Sequence, residues 1–201
     1  MILAFDTSSA ACTAALFDDA GVCLAHRDEI IGRGHSERLV PMLDEMLEGR
    51  MPKTILVGVG PGSFTGIRVA IAAAYGLAIG WGAELSGMSS LALIAAGTPA
   101  NDPVAVAVSG GHGELFVQSF DGGEPTGDLA NLSPAGAAAA TSANVVIGTG
   151  AGALVAARGW GEARDALPSA ANAMVLESDQ RSLPAKPIYA RAPDARPREA
   201  A

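Results

Sequence analysis

The chain opens with three short runs rich in strand formers, residues 1 to 6, 11 to 17 and 21 to 28, separated by the polar or Gly-containing breaks TSSA and DDAG. That pattern predicts an antiparallel meander. In SERLVPMLDEMLEG, Leu39, Leu43, Met46 and Leu47 recur at helical spacing, and Ser36 is placed to cap the start. Pro41 lies inside this segment, so the helix either begins later or bends there. A strand over 55 to 60, a long helix from 64 to 80 and a shorter one near 89 to 97 follow. The first unit therefore reads β-β-β-α-β-α.

TPANDP, with Pro99, Asn101 and Pro103 as breakers, reads as a linker, after which the order restarts. Residues 103 to 109 and 113 to 120 form a hairpin pattern, and a short run near 128 to 132 supplies a third strand. SPAGAAAAT is a Ser-capped helix. NVVIGTGAGALVAARG then reads as strand, glycine turn and helix. Two tandem β-β-β-α-β-α units, the second reduced, are the architecture of the actin-like ATPase superfamily, whose lobes are ribonuclease H-like and whose nucleotide lies between halves. The expected division is a first lobe over 1–98, a smaller second lobe over 99–190 and an extended tail over 191–201. From Pro184 onward the sequence has four prolines and is basic, and it reads as extended and partly mobile.

Composition narrows the function classes. A hydrophobic content of 49% over 201 residues supports a sizeable core. Thirteen basic against 21 acidic residues give a net charge of −8, which disfavours bulk electrostatic grip on nucleic acid. The apolar, charge-free run launched by the glycine turn, Val69 to Ala83, is 15 residues, short of the roughly 20 needed to span a bilayer. Cys12 and Cys23 read as core fillers in a reduced, cytoplasmic setting.

Candidate chemistry centres on GPGSFTGIRV. A Gly-rich turn from strand to helix presents N–H groups and a positive dipole end to an anion. Its letters fit neither standard phosphate loop. Gly66 is followed by Ile67 and Arg68 rather than Lys and Ser or Thr, and Gly60, Gly62 and Gly66 are spaced one residue too widely for a dinucleotide fingerprint. A packing turn is the favoured reading, with Arg68 left facing an anion or a carboxylate. The helix it launches has no charge between Arg68 and Glu84, which predicts burial on both sides, by its own sheet and by a second surface, a protein partner being favoured over the chain's other lobe.

Asp6 sits where actin-like ATPases place an acid near metal and phosphate. The matching place in the second half is Ser109, Gly110 and Gly111, with Glu114 belonging to the next strand. A Mg-dependent phosphoryl transfer would lack part of its clamp. His26, His35 and His112 form no metal motif, and the G-x-S-x-G elbow of a serine hydrolase is absent.

LAFDTSS, HSERLVPML, GPGSFTGIRV, SGMSSLALIA and PIYAR, in that order over nearly the whole chain, resemble the TsaB family, also called YeaZ. The resemblance implies a two-lobed actin-like fold without catalytic machinery, metal site or cofactor of its own, in which Asp6 and Thr7 are vestiges of a nucleotide site. It implies a subunit that pairs with the TsaD-like enzyme and works with a TsaE-like ATPase, which carry the ATP and the metal. Together they transfer a threonylcarbamoyl group to N6 of adenosine 37 in tRNAs reading codons that begin with A. The tRNA is met indirectly through the complex, no membrane is involved, and the subunit alone is either a homodimer or a monomer. The expected interface is Leu39, Leu43, Phe64, Arg68, Ile71, Ala72, Tyr75 and Ile79. Where the family has an Asp-Ala-Arg type sequence this chain has Ser109 to His112. The alternatives are an ATP-dependent small-molecule kinase of the same fold, resting on Asp6 and the two glycine turns, and a protease acting on its own paralogue. Direct tRNA contact would fall to Lys186, Arg191, Arg196 and Arg198.

Overall fold

The computed structural model describes residues 1–98 and 103–189. The linker breakers Pro99 and Asn101, the tail 191–201, and Arg191, Arg196 and Arg198 lie outside the described residues.

The meander forms as expected: β1 (Ile2–Asp6), β2 (Ala11–Phe17) and β3 (Cys23–Ile30) are antiparallel neighbours. β4 (Thr54–Gly58) pairs parallel to β1, and β5 (Glu84–Met88), which the sequence pattern missed, pairs parallel to β4. The sheet order is β3-β2-β1-β4-β5. Strands 1, 2 and 4 are buried on both faces, and alternation sorts their side chains. Leu3, Phe5, Cys12, Leu16, Ile55 and Val57 point to a cluster under helices α1 (His35–Leu47) and α2 (Phe64–Trp81). Ala4, Ala15, Phe17 and Leu56 point the other way.

The second sheet repeats the plan. β6 (Val104–Ser109) pairs antiparallel with β7 (Leu115–Asp121), and β9 (Ala130–Leu132) pairs with β7 on its far side, as does the two-residue β8 (Glu124–Pro125). β10 (Val145–Ile147) lies parallel to β6, and β11 (Glu162–Arg164) parallel to β10. Helices α4 (Pro134–Ala140) and α5 (Ala151–Arg158) cover its outer face through Ala105, Ala107, Ala137 and Leu154. Its inner face, Val104, Val106, Val108, Phe120 and Ile147, meets the first sheet across α3 (Ser90–Ala96). The two sheets share that central core.

Two local expectations change. Helix α1 starts on Gly34, whose φ of 89° suits glycine, so Ser36 is in the first turn, where its hydroxyl donates to Glu37. The helix runs through Pro41, which is exposed; water on that face can satisfy the carbonyl that the proline leaves unpaired. Residues 183–189 also return to the first sheet instead of trailing away: Gly87 and Leu183 exchange two backbone bonds, and Ile188 N–H donates to the Val59 carbonyl at 2.9 Å. Lys186 lies on this returning strand.

Candidate functional site

The glycine turn is built by close approach. A Cβ on Gly62 would lie 2.2 Å from the Ser8 carbonyl oxygen, and one on Gly66 1.9 Å from that of Thr7. Gly60 takes φ 91°. Ser63 N–H donates to Ser8 O at 2.6 Å, Gly66 N–H to the Ser63 hydroxyl at 3.2 Å, and the Thr7 hydroxyl to Gly66 O at 2.7 Å. Two of the donors a phosphate cradle would use are thereby spent inside the protein. The turn clamps the first turn of α2 onto the end of β1.

Asp6 lies under this clamp, fully buried. One carboxylate oxygen accepts the Ser8 N–H at 2.6 Å, and the other accepts the Ser90 hydroxyl, whose oxygen in turn accepts Gly60 N–H at 3.1 Å. Burial pushes Asp6 above the ordinary carboxylate range, while the Ser90 and Ser8 hydrogen bonds and the nearby His35 pull it back. Thr7 is equally buried. Ser90, the hub of this network, lies in the SGMSSLALIA segment, which the sequence marked by resemblance but not as part of a site.

A native pKa above the unfolded one means that the folded state loses stability as pH rises from the carboxylate range through that raised value. Asp6→Asn, which keeps the shape and one acceptor oxygen for the Ser8 N–H while turning an NH2 toward the Ser90 oxygen, is therefore expected to fold, to lose little stability at neutral pH, and to flatten the pH dependence above about pH 4. Urea melts of both chains at several pH values check this; a large loss at neutral pH would mean that the ionised carboxylate stabilises the turn.

Helix α2 has an inner face of Gly66, Ile67, Ala70, Ile71 and Ala74 packed on the sheet and α1. On its outer face Phe64 is 65% exposed, Tyr75 50% and Ile79 82%; with Arg68 and the exposed Ala72 they form one stripe at spacings of four, four, three and four. The expected interface needs correction at three positions. Leu39, Leu43 and Ile71 are sealed in the chain's own core and present nothing to a partner. By length and composition α2 is apolar enough to cross a bilayer, contrary to the sequence reading. Its inner face closes the core, however, so only one side is offered outward.

Arg68 links this helix to the returning segment. Its guanidinium donates to Phe64 O at 3.1 Å and to the Tyr189 hydroxyl, and lies 3.3 Å from the Phe64 ring centroid and 5.4 Å from that of Tyr189. Tyr189, far away in sequence, was not foreseen. Beside this group a cleft of about 860 Å³ opens between the two sheets. It is lined by the β1–β2 turn, the glycine turn, residues 109–112, Phe116, Thr149 and residues 187–189. Ser109 is held there by Thr149, through its N–H and its hydroxyl, each at 3.1 Å. Gly110 and Gly111 line the cleft, whereas Glu114 turns away to accept Asn131 at 2.6 Å.

The remaining candidates do not converge. His26 is on the exposed edge strand, His35 is buried with Nε2 3.2 Å from Ala11 O, and His112 is at the cleft with φ 60°. Among the described residues no group of three or more His, Cys, Asp or Glu could hold a metal. Cys12 is buried, and burial, with Glu29 adding to it, pushes its thiol up to about 11. Cys23 is exposed on β3, so it is no core filler.

The model of the family described as TsaD, tRNA N6-adenosine threonylcarbamoyltransferase, matches residues 28–147. The chain is 40% identical over 101 residues to the Escherichia coli protein named tRNA threonylcarbamoyladenosine biosynthesis protein TsaB, covering 48% of this chain and 43% of that protein. The Haemophilus influenzae TsaB is 37% identical over 99 residues, 47% of this chain and 41% of that one. The match thus spans less than half the length of these curated relatives. An uncharacterized Mycobacterium tuberculosis protein is 32% identical over 208 residues, 98% of this chain and 94% of its own. Among solved structures, YeaZ from Pseudomonas aeruginosa superposes with a TM-score of 0.75 at 29% identity, covering 94% of this chain and 98% of that one. A second Pseudomonas aeruginosa structure, described as similar to peptidase YeaZ, gives 0.80 at 29%, with 94% and 99% covered. With the two-sheet repeat, the clamped glycine turn and these similarities together, the chain has the actin-like ATPase fold and belongs to the TsaB (YeaZ) family.

Proposed function

We propose that this chain is a non-catalytic subunit in tRNA threonylcarbamoyladenosine biosynthesis, pairing through the outer stripe of α2 with a TsaD-like transferase that acts on adenosine 37. The observation that carries the reading is that stripe: Phe64, Ala72, Tyr75 and Ile79 leave an apolar helix face uncovered by this chain. Gly76 and Gly80, also exposed on the helix, let another backbone come close. The names of the Escherichia coli and Haemophilus influenzae relatives support the pathway. Against the kinase alternative stand the burial of Asp6 and a cleft that no acid among the described residues lines. The TsaE-like ATPase is the third member of the assembly, and ATP and metal belong to the partners, in the cytoplasm.

Reconstitution tests this. The purified chain, the cognate TsaD-like and TsaE-like proteins and a supply of threonylcarbamoyl-adenylate are expected to modify tRNA, and leaving the chain out should cost most of the product. Undiminished modification without it would refute the subunit role. Turnover of Mg-ATP by the chain alone would revive the enzyme reading.

A further inference from the structure

The pairing helix leaves the cleft between the sheets unexplained. At about 860 Å³ it falls in the range of small-molecule sites. Its chemistry is one-sided. Hydroxyls of Ser109 and Thr149 line it together with the apolar faces of Phe64, Phe116 and Tyr189, of which Phe64 and Tyr189 are well exposed. Among the described residues Arg68 is the one full positive charge that lines it, and no carboxylate does. The Arg68 guanidinium meets only neutral acceptors, a backbone carbonyl and a phenol, and has no ion pair among the described residues. Two rings hold its plane in place. A fixed guanidinium without a counter-charge at the mouth of an aromatic-lined cleft is prepared for one anionic group.

We propose that the cleft binds a small molecule with a flat apolar body and a single anionic group, a carboxylate or a phosphate monoester, without a metal. The flat body lies against the aromatic lining, and the anion meets Arg68. A nucleoside triphosphate brings several charges that a divalent cation and its carboxylate ligands would have to offset, and the strand-end acid Asp6 is closed beneath the turn. The site goes beyond the pairing role and is tested on the isolated chain, so its failure leaves that role untouched.

Isothermal titration of the full chain with adenosine monophosphate and with indole-3-acetate, each against its neutral counterpart adenosine or indole, supplies the test. At least one anionic probe is expected to bind about tenfold or more tightly than its neutral counterpart, the difference one charge-assisted contact makes. Arg68→Gln should erase the preference while leaving the neutral probes unchanged, which separates it from misfolding; Arg68→Lys should keep part of it. Raising the salt should shrink the preference in the parent chain, a reading that needs no variant. Preference for adenosine monophosphate assigns a phosphate ligand, and preference for indole-3-acetate a carboxylate. Neither anion binding at millimolar concentration, a preference that survives Arg68→Gln, or magnesium-dependent ATP binding tighter than that of the monophosphate would overturn the proposal.

Discussion

Ala72→Glu is expected to abolish complex formation with the TsaD-like partner while leaving the chain folded. Ala72 is exposed, on the outer stripe of α2, between Arg68 and Tyr75. In the free chain a glutamate there points into water, and the change should cost no more than about 0.5 kcal/mol. In a closed helix–helix interface the same carboxylate would be taken out of water, at a cost of about 3 kcal/mol or more that Arg68, one turn back, offsets only in part. That amounts to a loss of affinity of about a hundredfold or more. Gel filtration of the mixed subunits and a thermal melt of the variant alone read the two effects separately. Co-elution as tight as the parent's would remove α2 from the interface. Ile71→Arg cannot serve this purpose. Its side chain is in the core beneath the helix, 8% exposed, so the charge would unfold the chain before any partner was met.

The contrast between these neighbours shows where periodicity stops being informative. Helix α2 is apolar nearly all round, so its sequence announces two buried faces but does not say which is turned to the chain's own sheet. Only the register set by the glycine clamp decides that Ile67, Ala70, Ile71 and Ala74 go inward and Phe64, Ala72, Tyr75 and Ile79 outward. For α1 the stripe at Leu39 and Leu43 was plain, and its ordinary destination is the protein's own core, where it lies. The three-stranded meander and the hairpin of the second sheet were legible because β-branched and aromatic runs alternate with turn residues there. β5 was not, since ELSGM has few strand formers. It becomes a strand by pairing with β4 on one side and by the Gly87–Leu183 bridge on the other, a contact between residues far apart in sequence. Tyr189 escaped for the same reason: the return of residues 183–189 to the first sheet is a tertiary event that no local pattern encodes. The burial of Asp6 was hidden too, because a strand-end acid reads the same whether it faces a ligand or a serine.

Gly66→Ala should be the most damaging single-methyl change along α2, and Gly80→Ala should do the reverse. Helix propensity alone would rank both as improvements, since alanine is favoured over glycine by about 1 kcal/mol in a helix interior. At Gly80 nothing lies within 4 Å of the added carbon, so the gain of about 0.5–1 kcal/mol should appear in full. At Gly66 the carbon would stand 1.9 Å from the Thr7 carbonyl oxygen and 3.0 Å from its carbon. Those are backbone atoms of the strand end, with no rotamer to turn aside, and the Thr7 hydroxyl bond to Gly66 O would have to stretch as well. Lifting the first turn of α2 off β1 should cost about 3 kcal/mol or more, as severe overpacking does. Denaturant midpoints of the two variants should therefore move in opposite directions from the parent. A Gly66→Ala chain as stable as the parent would mean that the turn yields easily, and the reading of its glycines as a packing clamp would give way to one in which they are kept open for a ligand.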